Sequence, residues 1–123
     1  MISYRCAFIA TALFVTSGIA SAQAPIKIGV VLALTGPAAS VGIPEKNSLL
    51  LMPKSIGGHR VEVIILDDAT DTTKARKNAE KLVSEDHVDV MIAGATPISA
   101  RAINPVAESS STALVALAPA GKL

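Results

Sequence analysis

Residues 26–34 read IKIGVVLAL and residues 35–42 read TGPAASVG, and this stretch decides the fold of the chain. Its first part is apolar except at Lys27 and Gly29. A strand that is apolar on both faces is typical of the centre of a parallel sheet, where helices cover both sides. Its second part is rich in small residues, which let the backbone approach another group closely.

Three more apolar runs follow along the chain, and each is preceded by a helical segment. Strands are predicted over residues 61–66, 88–93 and 113–117, and helices over residues 43–55, 73–85 and 98–107. The short connections in this alternation predict an α/β fold with a doubly wound parallel sheet in the strand order 2-1-3-4. The loops after the first, third and fourth strands then share one edge, where such sheets bind ligands.

Proline and glycine residues predict the limits of the first helix. Pro44 suits its first turn, because proline fits the start of a helix. Pro53 is expected to end it, and Gly57 and Gly58 are expected to make the turn that follows.

Short polar side chains predict where the second and third helices begin. Asp71 or Thr72 is expected to cap the second helix, because a short oxygen-bearing side chain accepts free N–H groups of the first turn. Thr96 is expected to cap the third helix, with a proline in the first turn. Pro105 predicts that the third helix is short or bent and is followed by a turn over residues 109–112.

Residues 1–22 have the features of a secretory signal peptide. Arg5 gives a positive start, residues 7–15 are apolar, and small residues at 20–22 make a cleavage site before Gln23. A membrane anchor is the alternative, but this apolar run is shorter than the roughly 20 residues that a span needs. We therefore expect residues 1–22 to be removed and residues 23–123 to be exported.

The segment 23–123 is electrically balanced and has no aromatic residue. The chain has 11 Lys+Arg and 10 Asp+Glu, and Arg5 is the one base that lies ahead of residue 23, which leaves ten of each sign. The aromatic residues and the cysteine also precede residue 23: Tyr4, Phe8, Phe14 and Cys6. No disulfide can therefore form within the segment, and nothing in its composition indicates nucleic-acid binding.

Two adjacent carboxylates, Asp67 and Asp68, follow the second strand and are the first candidates for chemistry. They could hold Mg²⁺ in a phosphoryl-accepting enzyme, or one could bind a ribose. A dinucleotide site needs G-x-G-x-x-G with an acid about 20 residues later. Here five residues separate Gly36 from Gly42, and Asp67 lies 31 positions after Gly36. Structural or capping roles are therefore favoured for both carboxylates.

Other motifs of catalysis or metal binding do not occur in the sequence. Gly42 is not followed by the Gly-Lys-Ser/Thr of a phosphate-binding loop, and no serine lies in a G-x-S-x-G elbow. His59 and His87 are 28 positions apart, with no partner at the spacing of a zinc site. The sequence predicts neither an enzyme nor a bound metal or cofactor.

What remains are three loops of small residues at the ends of the first, third and fourth strands. Thr35, Ser40 and Thr96 supply hydroxyl groups there. Amides at helix N-termini attract anions, so such loops suit a ligand with a carboxylate. Alternatively, the small residues only make tight turns, and the residue pattern leaves both interpretations open.

The order of several segments resembles that of the branched-chain amino acid ABC transporter substrate-binding proteins. They are residues 26–42, GGHRVE at 57–62, DDATD at 67–71, the helix at 74–85, and VDV at 88–90 leading to Gly94. The resemblance extends over residues 26–120. It implies a type 1 periplasmic binding protein with two lobes that close on an amino acid or a similar small solute. It also implies a periplasmic, non-enzymatic protein that works with membrane permease subunits.

The resemblance further implies that the first lobe holds the α-amino and α-carboxyl groups of the ligand. The implied ligand-binding residues lie in the three small-residue loops, and they are Ser40, Val41, Ala95, Thr96, Ala118, Pro119 and Ala120. The sequence departs from the family in two places. The loop after the third strand is shorter, and Gly121 stands where a serine or threonine is common.

The chain ends within the first lobe that the resemblance implies, so we expect a truncated lobe over residues 23–123 that lacks its second wall. A half-pocket leaves the ligand in contact with water, and we expect weak binding or none. A ligand-sensing regulatory domain on the same fold is an alternative function, because such lobes are reused. A nucleotide or phosphoryl enzyme with a Rossmann-like fold is a less favoured one.

Overall fold

Strand β1 (Ile26–Leu32) lies in the middle of the sheet, as its apolar sequence predicts. The computed structural model describes residues 23–94 and 96–118. Over these residues the sheet has the order β2-β3-β1-β4-β5, where the other strands are β2 (Ser55–Ile56), β3 (His59–Asp67), β4 (Val90–Ala93) and β5 (Ala113–Ala116). Strands β3, β1, β4 and β5 are parallel neighbours, which confirms the predicted order 2-1-3-4.

Helices cover both faces of the sheet, so the fold is doubly wound. Helix α1 (Ala39–Leu49) lies on the face to which Val30 and Leu32 point, and both of these side chains are fully buried. Helices α2 (Thr72–Ser84) and α3 (Pro97–Ser110) pack on the opposite face, over Val31 and Met91. Burial on both faces is what the largely apolar sequence of β1 requires.

The first helix does not span residues 43–55 as predicted. It begins at Ala39, so Pro44 lies inside it, and it ends at Leu49, ahead of Pro53. Gly42 allows the earlier start, because its lack of a Cβ lets the helix approach Ala33, whose carbonyl oxygen would lie 2.1 Å from an added Cβ. This contact holds the helix against the end of β1, and periodicity in the sequence gives no sign of it.

Gly57 and Gly58 do not end a helix but form the turn of a β-hairpin. Their φ angles are +57° and +86°, which suits a tight two-residue hairpin turn. The turn joins β2 to β3 in antiparallel pairing, so the sheet gains an edge strand that the sequence did not predict. It also starts β3 at His59, two residues earlier than expected.

The second helix matches its prediction closely. Asp71 caps it, since its carboxylate accepts a hydrogen bond of 2.7 Å from the N–H of Lys74. Ala75, Ala79 and Leu82 are fully buried along one stripe, as their spacing indicates.

The third helix is longer than expected. It runs for 14 residues through Pro105 and includes part of the predicted turn at 109–112. Ile103 and Val106 on either side of the proline are buried in the core. Their burial offsets the one helical hydrogen bond that proline removes. The helix ends at Ser110, and Ser111, which caps it, has a left-handed φ of 54°.

Over the described part of the chain, no helix has both the length and the apolar character that a bilayer crossing requires.

We predict that Gly42→Ala destabilises the fold, because the new Cβ would overlap the Ala33 carbonyl. The expected loss is about 1–3 kcal/mol in the free energy of unfolding, measured by urea titration with circular dichroism. In an unconstrained helix the same change would stabilise by about 1 kcal/mol. Asn47→Ala, at an exposed position of the same helix, is the control. A stabilised Gly42→Ala variant would show that the contact does not constrain α1.

Candidate functional site

The loops that follow the parallel strands leave the sheet side by side at its carboxyl edge. The N–H of Gly94, just after β4, donates to the carbonyl of Val31 at 3.0 Å. The N–H of Leu117, just after β5, donates to the carbonyl of Ala93 at 2.9 Å. Pairing therefore continues to the strand ends, and the loops after β1, β4 and β5 begin at a common level.

The structure places four of the seven predicted ligand-binding residues at this edge. Ser40 and Val41 are exposed and lie in the first turn of α1, not in the loop before it. Thr96 is half-buried ahead of α3, and Ala118 is buried after β5. The remaining three residues, Ala95, Pro119 and Ala120, lie outside the described residues.

Thr96 occupies the N-cap position of α3, but its side chain makes no capping hydrogen bond, contrary to the prediction. Its carbonyl accepts the N–H of Ala100 at 3.1 Å, so the backbone of the helix starts there. The hydroxyl is therefore not used to satisfy the first-turn N–H groups. Those groups and the positive end of the helix dipole make the start of α3 a suitable place for an anion.

Glu45 is a residue at this edge that sequence reasoning missed. It lies in α1, yet an added Cβ at Gly94 would be 3.0 Å from its Oε2 atom. The carboxylate of Glu45 thus reaches the end of β4, although the two residues are 49 positions apart in the chain. No rule of sequence spacing predicts this contact, because the distance between Glu45 and Gly94 depends on where α1 crosses the sheet.

Asp67 holds the loop after β1 in place. Its Oδ1 accepts hydrogen bonds from the N–H groups of Leu34 (2.9 Å), Thr35 (3.2 Å) and Ala69 (2.8 Å). Its Oδ2 accepts one from the Thr35 hydroxyl at 2.6 Å. One carboxylate therefore ties the ends of two neighbouring strands together.

A second set of contacts closes the same two loops on each other. The Thr70 hydroxyl donates to the carbonyl of Thr35 at 3.2 Å and accepts from the N–H of Ala38 at 3.1 Å. Gly36 has a φ of +79°, and a Cβ there would lie 2.5 Å from the carbonyl oxygen of Ala69. The loop that leads into Ser40 is therefore held from several sides.

Hydrogen bonding decides the charge of Asp67. Partial burial raises the pKa of this carboxyl, but the bonds from Thr35, Ala69 and Leu34 outweigh burial and lower the pKa from 3.8 to about 2. The ammonium of Lys74 lies 3.9 Å from Oδ2. Both oxygens serve internal contacts, which agrees with the structural role that the sequence favoured over phosphoryl chemistry.

The described residues contain no group of three or more histidine, cysteine, aspartate or glutamate side chains that could hold a metal ion.

We predict that Asp67→Asn lowers the free energy of unfolding at pH 7 by about 2 kcal/mol, the equivalent of its pKa shift. The folded pKa is the lower one, so this stabilisation is present above the unfolded value of 3.8 and is lost as the pH falls towards 2. Wild-type stability should therefore fall more steeply with acid than that of the variant, in urea titrations between neutral and low pH.

Glu62→Gln is the matched control for this measurement. Glu62 lies in the same strand, and its exposed carboxylate is 3.6 Å from Arg60. We expect a change within about 0.5 kcal/mol for this surface position. Parallel pH curves for the wild type and Asp67→Asn would contradict the role given to Asp67.

Comparison with known protein families and structures identifies relatives of this chain. Residues 25–122 match the family described as "Periplasmic binding protein". A search of curated proteins gave no match.

Three solved structures illustrate the relationship. An extracellular ligand-binding receptor from Rhodopseudomonas palustris HaA2 is 41% identical, with a TM-score of 0.72, over 76% of this chain and 26% of its own. A leucine-binding protein from Thermotoga maritima MSB8 is 25% identical, with a TM-score of 0.73, over 76% of this chain and 27% of its own. A solute-binding protein of an ABC transporter from R. palustris BisB5, in complex with 3,4-dihydroxybenzoic acid, is 26% identical, with a TM-score of 0.73. The match covers 76% of this chain and 27% of its own.

This chain spans about a quarter of the length of these structures. The matched region includes the parallel sheet, both helical layers and the carboxyl edge. The α/β sheet is that of part of a type 1 periplasmic binding protein lobe, and the chain belongs to the periplasmic binding protein family.

Proposed function

We propose that this chain is part of an exported solute-binding protein of an ABC importer, and that the carboxyl edge of its sheet binds a small zwitterion. An amino acid of the branched-chain type is the first candidate. Membership of the periplasmic binding protein family supports the general role. The relatives named as a leucine-binding protein and as a solute-binding protein of an ABC transporter support the transport context. The permease subunits of such an importer would be its membrane partners.

Two opposite charges at one edge are the observation that carries this proposal. The start of α3 presents N–H groups that the Thr96 side chain does not cap, which suits a carboxylate. The carboxylate of Glu45 reaches Gly94 at the end of β4, and a carboxylate at this edge suits an ammonium group. An amino acid has both groups about one carbon apart, whereas a benzoate has only the carboxylate. This arrangement supports an amino acid over an aromatic acid.

The seven predicted ligand-binding residues would then have distinct roles. The Thr96 hydroxyl and the backbone at Ala95 would donate to the solute carboxylate, because hydroxyl and amide groups are its natural donors. Backbone carbonyls in the loop after β5 would accept from the ammonium, together with Glu45. This loop contains Ala118, Pro119 and Ala120, while Ser40 and Val41 would form the rim.

A site formed by this edge alone has little affinity for a solute. Ligand sites usually bury most of their ligand, and this edge covers a solute from one side only. We therefore expect a dissociation constant of about 1 mM or weaker for this chain, which corresponds to about −4 kcal/mol. Selectivity for the solute side chain would depend on a second lobe.

Export is part of the same proposal. Residues 1–22 combine a positive start, an apolar run and small residues ahead of Gln23, which supports a cleaved signal peptide. The relatives are extracellular or periplasmic binding proteins, and a periplasmic location for residues 23–123 follows from the same reasoning.

We predict weak, saturable binding of leucine in a nuclear magnetic resonance titration of the full chain. Amide signals at the start of α3 and in the first turn of α1 should shift, while those near Ser55, in β2 beside the amino end of β3, should not. Leucinamide lacks the carboxylate and 4-methylpentanoate lacks the ammonium, so both should bind less. A micromolar dissociation constant would contradict the one-wall site, and an absence of shifts at the edge would contradict the site itself.

Two variants test recognition of the carboxylate and of the ammonium group of leucine separately in this titration. Thr96→Ala should weaken leucine and 4-methylpentanoate alike, because both have the carboxylate. Glu45→Gln should weaken leucine and leave 4-methylpentanoate unchanged. Ser55→Ala removes an exposed hydroxyl from β2 and is the control. Equal effects of Glu45→Gln on both solutes would contradict recognition of the ammonium.

We predict that expression of the full chain in a bacterium with a periplasm gives an exported product whose first residue is Gln23. N-terminal sequencing of the periplasmic fraction is the measurement. Ala22→Leu should block the cleavage, because signal peptidase needs small residues before the bond. A product that retains residues 1–22 in the wild type would favour the membrane-anchor alternative.

A further inference from the structure

The two faces of the sheet are covered unequally. Over the described residues, eleven buried residues form the core under α2 and α3, whereas three form the core under α1: Ile28, Val30 and Leu32. A single helix is about 10 Å wide, which is about two strand spacings, so α1 cannot cover a sheet of this width. The face on which α1 lies therefore keeps apolar side chains of the sheet that are only half-buried.

An apolar groove of about 180 Å³ lies on this face, beside the end of α1. Half-buried side chains of β3 form its floor, and the end of α1 with the segment that follows forms its wall. A cavity of about 150 Å³ with apolar walls is large enough to bind benzene, so this groove has room for one phenyl ring. The lining residues are Leu49, Leu50, Met52, Pro53, Lys54, Val61, Val63 and Ile65.

The composition of the chain indicates which segment can supply such a ring. Every Phe, Tyr and Trp of the chain precedes Gln23, in the part that lies outside the described residues. Residues 7–15, AFIATALFV, contain both phenylalanines, Phe8 and Phe14, and no charged side chain. This segment therefore matches the groove both in the size of its rings and in its apolar character.

The point from which this segment leaves the fold lies close to the groove. The carbonyl of Ala24 is 3.0 Å from Nδ1 of His59, at the start of β3. Ile26 pairs with Val61, which lines the groove. Gln23 is three residues from Ile26, and three residues span at most about 10 Å. The residues ahead of Gln23 therefore start beside the amino end of the groove.

The link between Gln23 and the apolar segment is long enough to fold back. Residues 16–22, TSGIASA, are seven residues, which reach at most about 25 Å. The groove floor from Val61 to Ile65 is four residues of strand, or about 13 Å. A short flexible link gives an effective concentration in the millimolar range, so even a weak apolar contact is populated.

We propose that residues 7–15 of the uncleaved chain dock in this groove and place the ring of Phe8 or Phe14 against the floor of β3. The contact removes apolar surface of the segment and of the groove from water, which is its driving force. Residues 7–15 thus act as a cover for the face on which α1 lies.

Cleavage ahead of Gln23 would remove this cover and expose the groove. The docked state itself requires neither cleavage, a solute nor a permease, so it stands or falls independently of the proposed function. The groove is lined from the amino half of β3, whereas the solute edge is at the carboxyl ends of the strands. Docking would therefore leave the start of α3 accessible.

Nuclear Overhauser contacts between phenyl and methyl protons test the docking directly. Cell-free synthesis of the full chain avoids signal cleavage and allows selective labelling of phenylalanine rings and of valine and isoleucine methyl groups. Contacts from the rings to the methyl groups of Val61, Val63 and Ile65 are expected, and they should disappear in the double variant Phe8→Leu/Phe14→Leu. The absence of these contacts in the wild type overturns the proposal.

Two neighbouring leucines provide a matched pair of variants. Leu50 lines the groove and is 61% exposed, whereas Leu51 is 87% exposed and is not among the lining residues. Leu50→Gln should weaken docking about tenfold, because an apolar wall of the groove becomes polar. Leu51→Gln should leave the contacts at wild-type intensity. Circular dichroism checks that both variants fold, and equal contact intensities in the two variants would overturn docking in the groove.

Cys6, the single cysteine of the chain, gives an independent measurement because it directly precedes the apolar segment. A nitroxide spin label on Cys6 should broaden the methyl signals of Val63 and Ile65. It should broaden Ile98 less, since Ile98 is an exposed residue of α3, on the opposite face. Spin-labelled chains mixed with isotope-labelled chains that lack the spin label should show no broadening. Broadening in the mixture would mean that a second copy occupies the groove, and it would overturn docking within one chain.

Discussion

The carboxylate of Asp67 is the contact on which the geometry of the edge depends. It accepts hydrogen bonds from Leu34, Thr35 and Ala69, and it thereby joins the ends of β1 and β3. A carboxylate with that many donors stays ionised well below neutral pH. This charge, together with the contacts of Thr70 and Gly36, fixes the loop into α1, so the start of α1 has a defined position relative to the sheet.

Glycine contacts then let the helices approach the strands closely enough to bring distant groups together. Gly42 rests on the Ala33 carbonyl, and Gly94 leaves room for the Leu32 side chain and the Glu45 carboxylate. A side chain at Gly42 would push α1 away from the sheet, and one at Gly94 would displace the ends of the Leu32 and Glu45 side chains. The small residues that looked like turn formers in the sequence are therefore required for packing, and the approach of Glu45 to β4 is a consequence of it.

The edge combines a rigid part and a less constrained part. The loop between β1 and α1 is held by Asp67, Thr70 and a left-handed Gly36. The start of α3 has no side-chain cap from Thr96. Such a contrast suits a solute site in a periplasmic binding protein, because one wall stays in place while polar groups remain available for the solute.

The sequence by itself determined the α/β class and the strand order, and it limited the cap of α2 to Asp71 or Thr72, because local patterns of apolar and capping residues encode these features. It also identified the three loops of the edge. It did not determine the start of α1, the β2–β3 hairpin, the length of α3 or the approach of Glu45 to Gly94. Those features depend on contacts between residues far apart in the chain. Only the tertiary structure decides them, because the contacts that stabilise them form only when the helices and the sheet are packed together.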